Sequence, residues 1–301
     1  MTTLPEGVLD PGVRERLQPA DRRRGGASSR PDPPRRRVLR SLLARLLVRL
    51  AVAAALLAAG GELFSRAWSG GTSPPVPVAP GIVAEHGAGT WLYAVRLADG
   101  VALVDTGRDR KGRPIDVALG ALGARRADVT DVLLTHGHPA ETVGLAAVPA
   151  ARVHAGVGDV DVIAGRERAG RGLDRLLGLV LPRTTARVAN PIGGEEAISI
   201  DGDRILAFPV PGHSLGSTAY LIRGVLFLGD AASLKDGHLV PGPRFMSADP
   251  GRGARSLAHL ARRLADTEVS LVCTAHTGCS GAGSGKALLA EAAGQTAPGA
   301  P

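Results

Sequence analysis

The 301-residue chain is long enough for one large domain with extra segments, and its 44% hydrophobic content must pack mainly through Ala, Val and Leu, because aromatics make up only 3%. The net charge of +8 lies almost wholly in residues 1–70, which carry thirteen Arg against six Asp or Glu, so the remainder is near neutral. That distribution excludes an electrostatic footprint for nucleic acid on the folded part, and two cysteines without a Cys-x-x-Cys pattern exclude zinc-finger and thioredoxin chemistry.

Residues 1–37 are rich in Arg, Pro, Gly and Ser and read as a disordered basic tail. An apolar stretch follows within 38–64. Its charge-free part, Leu50 to Gly61, is too short to span a bilayer, but about twenty residues from Leu42 suffice if Arg45 and Arg49 reach back to the headgroups. The basic flank before this stretch points to a single-pass anchor over residues 42–61 with the tail inside and the rest of the chain extracytoplasmic. Two other readings stay open: a cleaved signal, for which Arg35 to Arg40 is similar to a twin-arginine motif, and an amphipathic helix lying on the membrane. Residues 65–80 then read as a Pro- and Gly-rich spacer.

A folded domain is expected over 81–283, with 284–301 as a tail. Trp91 to Leu97 and Val101 to Asp105 read as strands around the Asp99-Gly100 turn, and Ile115 to Leu122 as a helix ended near Gly123. Val132 to Leu134 and Arg152 to His154 are short strands, and residues 156–190 read as a helix or lid. Hairpins are expected around Asp201-Gly202 and Arg223-Gly224. Asp249-Pro250 opens a helix to about Leu264, Val269 to Cys273 is the last strand, and Lys286 to Ala293 is a short helix. Cys273 and Cys279 flank His276. A disulfide could close this loop after export, but one buried thiol and one loop thiol is the expectation.

The chemistry concentrates just past strand ends. Leu133-Leu134-Thr135-His136-Gly137-His138-Pro139-Ala140-Glu141 places two histidines one residue apart where a strand turns into a helix. Imidazole is a common ligand for zinc and iron. Pro211-Gly212-His213-Ser214 follows an apolar strand, Leu228-Gly229-Asp230 ends another, and Thr274-Ala275-His276 a third. Together with Val104-Asp105-Thr106-Gly107, these stretches resemble the metallo-β-lactamase superfamily in order and spacing, from about Gly81 to Gly283.

The resemblance implies an α/β fold, an αββα sandwich, here preceded by a transmembrane helix. It implies a first metal site of His136, His138 and His213, with Asp230 beside or between two sites, His276 in the second, and Asp105 supporting them from behind. The implied cofactor is zinc, one or two ions, with Fe or Mn as alternatives, and metal-activated water is the implied nucleophile. One departure matters: where the family reads His-x-His-x-Asp-His, this chain has Ala140 and Glu141 in the last two places. Glu141 could supply a carboxylate ligand or act with Asp230 as a catalytic base. Equally, Pro139 at the first helical position puts Glu141 third, where a carboxylate satisfies free N–H groups. Asp105 has a purely structural reading as a turn residue. Ser214 and Ser217 lack a Gly-x-Ser-x-Gly elbow and are not expected as nucleophiles. His86, His154, His238 and His259 read as surface or loop residues, with His238 near enough to Asp230 to line a pocket.

The function expected is a membrane-anchored metal-dependent hydrolase of a small-molecule ester, thioester, lactone or related bond. The alternatives are a non-catalytic binding domain and a mononuclear-iron oxidative enzyme of the same fold. Oligomeric state is not legible.

Overall fold

The computed structural model describes residues 73–168 and 184–294, together with 47–49 and 52. The anchor expected within 38–64 and the centre of the lid expected over 156–190 therefore lie outside the described residues. No helix among those described is long and apolar enough to cross a membrane.

The first sheet has seven strands in chain order: β1 (Val76–Ala79), β2 (Ile82–Gly87), β3 (Thr90–Arg96), β4 (Val101–Val104), β5 (Val129–Leu133), β6 (Arg152–Gly156) and β7 (Val188–Ile192). The first four pair antiparallel and the last four parallel. The second half of the chain supplies β8 (Glu196–Ile200), β9 (Asp203–Pro209), β10 (Thr218–Ile222), β11 (Val225–Phe227), the ribbon strands β12 (Ala232–Lys235) and β13 (His238–Pro241), then β14 (Leu271–Thr274) and β15 (Gly278–Cys279). The second sheet runs β15-β14-β11-β10-β9-β8, with β11 and β14 parallel and the others antiparallel.

Residue alternation builds four layers. Along β3, Tyr93 and Val95 point between the sheets, where they meet Val104, Leu133, Tyr220 and Phe227. Leu92 and Ala94 point outward onto Ile115 and Leu119 of the helix Arg113–Ala121. On the far side Phe208, Leu221 and Leu226 pack on Leu257 and Leu260 of the helix Pro250–Arg263 and Leu288 and Leu289 of the helix Gly285–Gly294. Strands covered on both faces read as continuous apolar runs, which is why most were visible in the sequence.

The expected hairpins form as two-residue turns with both central residues left-handed: Asp201 at φ 48° and Gly202 at 83°, Arg223 at 48° and Gly224 at 79°. Asp249 caps its helix by accepting from Arg252 N at 2.8 Å. The spacer over 65–80 ends in a strand, β1, whose Pro77 is tolerated because β1 is an edge. The helix Gly285–Gly294 packs into the core, so 284–301 is not simply a tail. The strand Leu271–Thr274 is not the last: β15 returns beside it and sets Cys273 opposite Cys279. Their Cα atoms are 4.0 Å apart and the sulfurs are bonded, against the expectation of free thiols.

His154 is likewise not a surface residue. It is buried on β6, and its Nε2 lies 2.8 Å from Asp131 Oδ1. Arg152 grips the same carboxylate through two hydrogen bonds of 3.0 and 2.9 Å. Burial alone would raise the Asp131 pKa, but these partners hold it down at about 2. A carboxyl depressed from its unfolded value near 3.9 contributes stability above about pH 4, lost as the pH falls towards 2. Asp131→Asn should therefore lower stability at pH 7 by on the order of 2 kcal/mol and change it little at pH 2, as denaturant titrations of both proteins at the two pH values would show.

Candidate metal centre

Topology gathers the candidates. β4 and β5 are parallel, so Asp105 and the His136–His138 turn leave the first sheet at one edge. β9, β11 and β14 run one way through the second sheet, so His213, Asp230 and His276 leave at one edge too. The edges meet: Thr218 N donates to Thr135 O at 2.8 Å, and His213 Nε2 lies 3.0 Å from His138 Nδ1.

The rings of His136, His138 and His213 stand pairwise with centroids 4.7 Å apart and planes crossed by 70° to 90°. Each offers a nitrogen to one point, all within 4.8 Å of one another, and all three residues are buried. Asp230 Oδ2 lies 3.4 Å from His213 Nε2, 3.8 Å from His136 Nε2 and 3.2 Å from His276 Nε2. Glu141 Oε2 lies 3.1 Å from His136 Nε2. His136, Glu141 and Asp230 form a second group whose ligand atoms share the 4.8 Å limit.

These separations fit an ion. Ligand atoms about 2.0–2.1 Å from a tetrahedral metal stand about 3.3 Å apart, and His213 lies 3.0 Å from His138 and 3.4 Å from Asp230. His136 Nε2 and Glu141 Oε2 are buried and face each other at 3.1 Å and, for His136, Asp230 at 3.8 Å, so a shared ion would take up both. The protonation states agree. Burial and the neighbouring His136 charge push the His213 imidazole well down, so it stays neutral, as a ligand must be. Burial also pulls His136 down, but Glu141 and then Asp230 overcome it and hold it up at about 10, so metal uptake must displace that proton. Asp230 is buried, which would raise it, yet His276, His136 and His213 keep it well below the usual carboxylate range. His276 is exposed at the rim. Its Nδ1 donates to Gly89 O at 2.9 Å, and Asp230 holds it protonated, at about 9, against what burial it has.

The carboxylate of Glu141 does not face the first turn of its helix. It turns to His136, while its Oε1 lies 3.2 Å from Thr90 Oγ1. Ala140, where the family has Asp, offers no ligand atom. Asp105, left-handed at φ 59°, accepts from Thr135 N at 2.8 Å and Thr135 Oγ1 at 2.7 Å. That hydroxyl sits 3.2 Å from His136 Nδ1, so Asp105 orients His136 through Thr135. Thr106 N and Oγ1 both hold Glu141 O, which fixes the start of the short helix Pro139–Thr142. His238 lines nothing here: it is exposed and paired with Glu291 at 2.7 Å.

Sequence reasoning missed Asp159. Its buried carboxylate accepts from Gly137 N at 2.7 Å, Ser214 Oγ at 2.6 Å and Gly216 N at 2.9 Å. It therefore ties the loop of His136 and His138 to the loop of His213, and gives Ser214 a structural role. An isolated aspartate in a Gly-Asp-Val-Asp run carries no signal for partners 22 to 57 residues away. Asp159→Asn keeps the shape but sets an amide donor against donors. Metal affinity should fall about 10- to 100-fold, measured by competition with a chromogenic chelator, with the fold retained by circular dichroism.

A model of the metallo-beta-lactamase superfamily matches residues 87–276. Among solved structures, the chain is similar to BJP-1, a subclass B3 metallo-beta-lactamase of Bradyrhizobium japonicum (20% identity over 69% of this chain and 79% of that one, TM-score 0.55). It is also similar to a Cronobacter sakazakii metallo-beta-lactamase with a HARLDQ motif (21% identity, 71% and 81% covered, TM-score 0.54). A third structure is described as the first B3 metallo-beta-lactamase with an active-site glutamic acid (18% identity, 76% and 90% covered, TM-score 0.57). At these identities the likeness is one of fold. No curated protein matches significantly.

Proposed function

We propose that this chain, which belongs to the metallo-beta-lactamase superfamily, is a membrane-anchored metal-dependent hydrolase. The observation that carries the reading is the buried convergence of His136, His138 and His213 beside Asp230, with Glu141 turned onto His136. The three imidazoles would hold the ion and Asp230 would complete its set; zinc suits the nitrogen-rich cluster. Such an ion, when bound, activates a water and polarises a carbonyl or phosphoryl oxygen.

The chain's own residues do the rest. Asp230, ionised among histidines, fixes the electrostatics of the centre. Thr135 and Asp105 set the orientation of His136. His276, protonated at neutral pH and exposed at the rim, is placed to give the Nε2 proton to a leaving group. Glu141, beside His136 in a water-poor corner, stands where the family's last signature histidine would be, and supplies a carboxylate in its place.

Two features support placement outside the cytoplasm. The Arg excess precedes the apolar stretch at 42–61. The Cys273–Cys279 disulfide suits an oxidising compartment. Reporter fusions after Pro80 should behave as extracytoplasmic, and a soluble cytoplasmic full-length protein would refute the anchor.

The activity is tested by elemental analysis of the purified full-length protein and a panel of esters, thioesters, lactones, phosphodiesters and β-lactams. The expected result is bound metal and chelator-reversible hydrolysis of one class. A protein that neither retains metal after zinc supplementation nor turns over any class would overturn the reading, and favour a binding domain.

A further inference from the structure

We propose that Thr90, at the tip of the β2–β3 hairpin, is a positioning residue of this centre: its hydroxyl turns the Glu141 carboxylate onto His136 and ties it to the loop that carries His276. The inference rests on the metal-centre reading above, and it concerns a residue that supplies no ligand itself.

The hairpin closes through Ala88 at φ 55° and Gly89 at φ 80°, a left-handed two-residue turn that pairs Gly87 with Thr90. It meets the centre with three consecutive residues. Gly89 O accepts from His276 Nδ1 at 2.9 Å. Thr90 Oγ1 lies 3.2 Å from Glu141 Oε1 and 3.2 Å from Ala275 O. Trp91 N donates to Ala275 O at 2.7 Å. The backbone of the hairpin thus holds the loop of His276, and the Thr90 side chain reaches from that loop to Glu141.

Three properties suit Thr90 to this task. It is buried, so bulk water does not compete for the Glu141 oxygen. Its branched side chain is stiff about the first torsion, and its methyl stands by Gly107, where an added Cβ would lie 4.0 Å from Thr90 Cγ2, so the hydroxyl has a set direction. It also offers one hydrogen to two acceptors. Both contacts are longer than an undivided hydroxyl bond, as a shared hydrogen gives. Glu141 Oε1 is thereby anchored, and Oε2 is left to face His136 at 3.1 Å. Without the hydroxyl the carboxylate can rotate away and Oε1 stays buried without its donor.

The test titrates metal-free full-length protein with zinc against a chromogenic chelator. Thr90→Val keeps the shape and loses the hydroxyl. It should lower zinc affinity about tenfold, and Thr90→Ser should restore most of it. In a Glu141→Ala background the valine change should cost nothing further, because Thr90 acts through that carboxylate. A second arm needs no metal: at fixed pH the ring-nitrogen NMR signals of His136 should move in Thr90→Val and return in Thr90→Ser. If the valine variant does not fold, Thr90→Ala carries the same comparisons. Wild-type affinity in Thr90→Val, a serine variant no better than valine, or a valine cost that adds in full to that of Glu141→Ala overturns the positioning role and leaves the metal centre standing. A wild type that takes up no zinc is a separate result, which removes the metal-centre reading. The His136 signals then decide: a shift that serine reverses upholds the aiming of Glu141 by Thr90, and no shift overturns it.

Discussion

His213→Ala is expected to abolish most metal binding. Its Nε2 is shared between His138 at 3.0 Å and Asp230 at 3.4 Å, so it stands at the centre of the cluster. Removing it leaves two imidazoles and Asp230, one ligand short of a closed four-ligand set and without the nitrogen nearest the other members. Loss of even an orienting neighbour costs about 10- to 100-fold in affinity, so loss of a ligand should exceed about 100-fold. The consequence for stability is direct. Zinc at a hundred times its Kd should stabilise wild type by about 2.7 kcal/mol, and the variant by almost nothing at the same concentration. Thermal melts with and without zinc, beside equilibrium dialysis, measure both. His136→Ala should behave alike; wild-type stoichiometry and affinity in either variant would mean that the cluster is not the site.

Glu141→Ala carries the second large effect. As a helix cap, Glu141 would be worth about 1 kcal/mol of stability and nothing in metal binding. The structure turns its carboxylate to His136 instead, at 3.1 Å, with Thr90 on the other oxygen. The expected loss is therefore in metal affinity, about tenfold or more, with little change in the melting of the metal-free protein. Free of Glu141, its main counter-charge, His136 should also lose much of its elevation above the ordinary imidazole range, which NMR titration of the metal-free protein would register. Conversely, Ala140→Asp with Glu141→His restores the family signature, and should raise zinc occupancy towards two per chain.

Much of this was legible in the sequence, and the limits were physical. Strands buried on both faces announce themselves as apolar runs, and Asp-Gly and Arg-Gly fix their hairpins, so β8 to β11 of the second sheet were legible to within a residue at each end. The candidate ligands were legible because each follows a strand directly. Strands with polar members were not: β5 begins at Val129, but Asp131 inside it, buried against Arg152 and His154, disguises its first half. β15 has two residues, too few for any pattern, and without it nothing favours the pairing of Cys273 with Cys279 over two free thiols. Asp159 and Thr90 act across 22 or more residues of chain, through contacts that only the closed sandwich creates. The orientation of Glu141 was undecidable from local pattern, because a helix cap and a ligand both want a carboxylate there.

We infer that this centre holds one ion tightly, and that Ala140 leaves a second site short of the aspartate that the family signature supplies. Calorimetric titration of the metal-free protein with zinc at neutral pH, repeated in buffers of different ionisation enthalpy, tests it most directly. The predicted result is one tight equivalent, proton release as His136 gives up its proton, and at most a weak second equivalent that Glu141→Ala diminishes. Two tight equivalents unaffected by Glu141→Ala, or no tight equivalent at all, would contradict it.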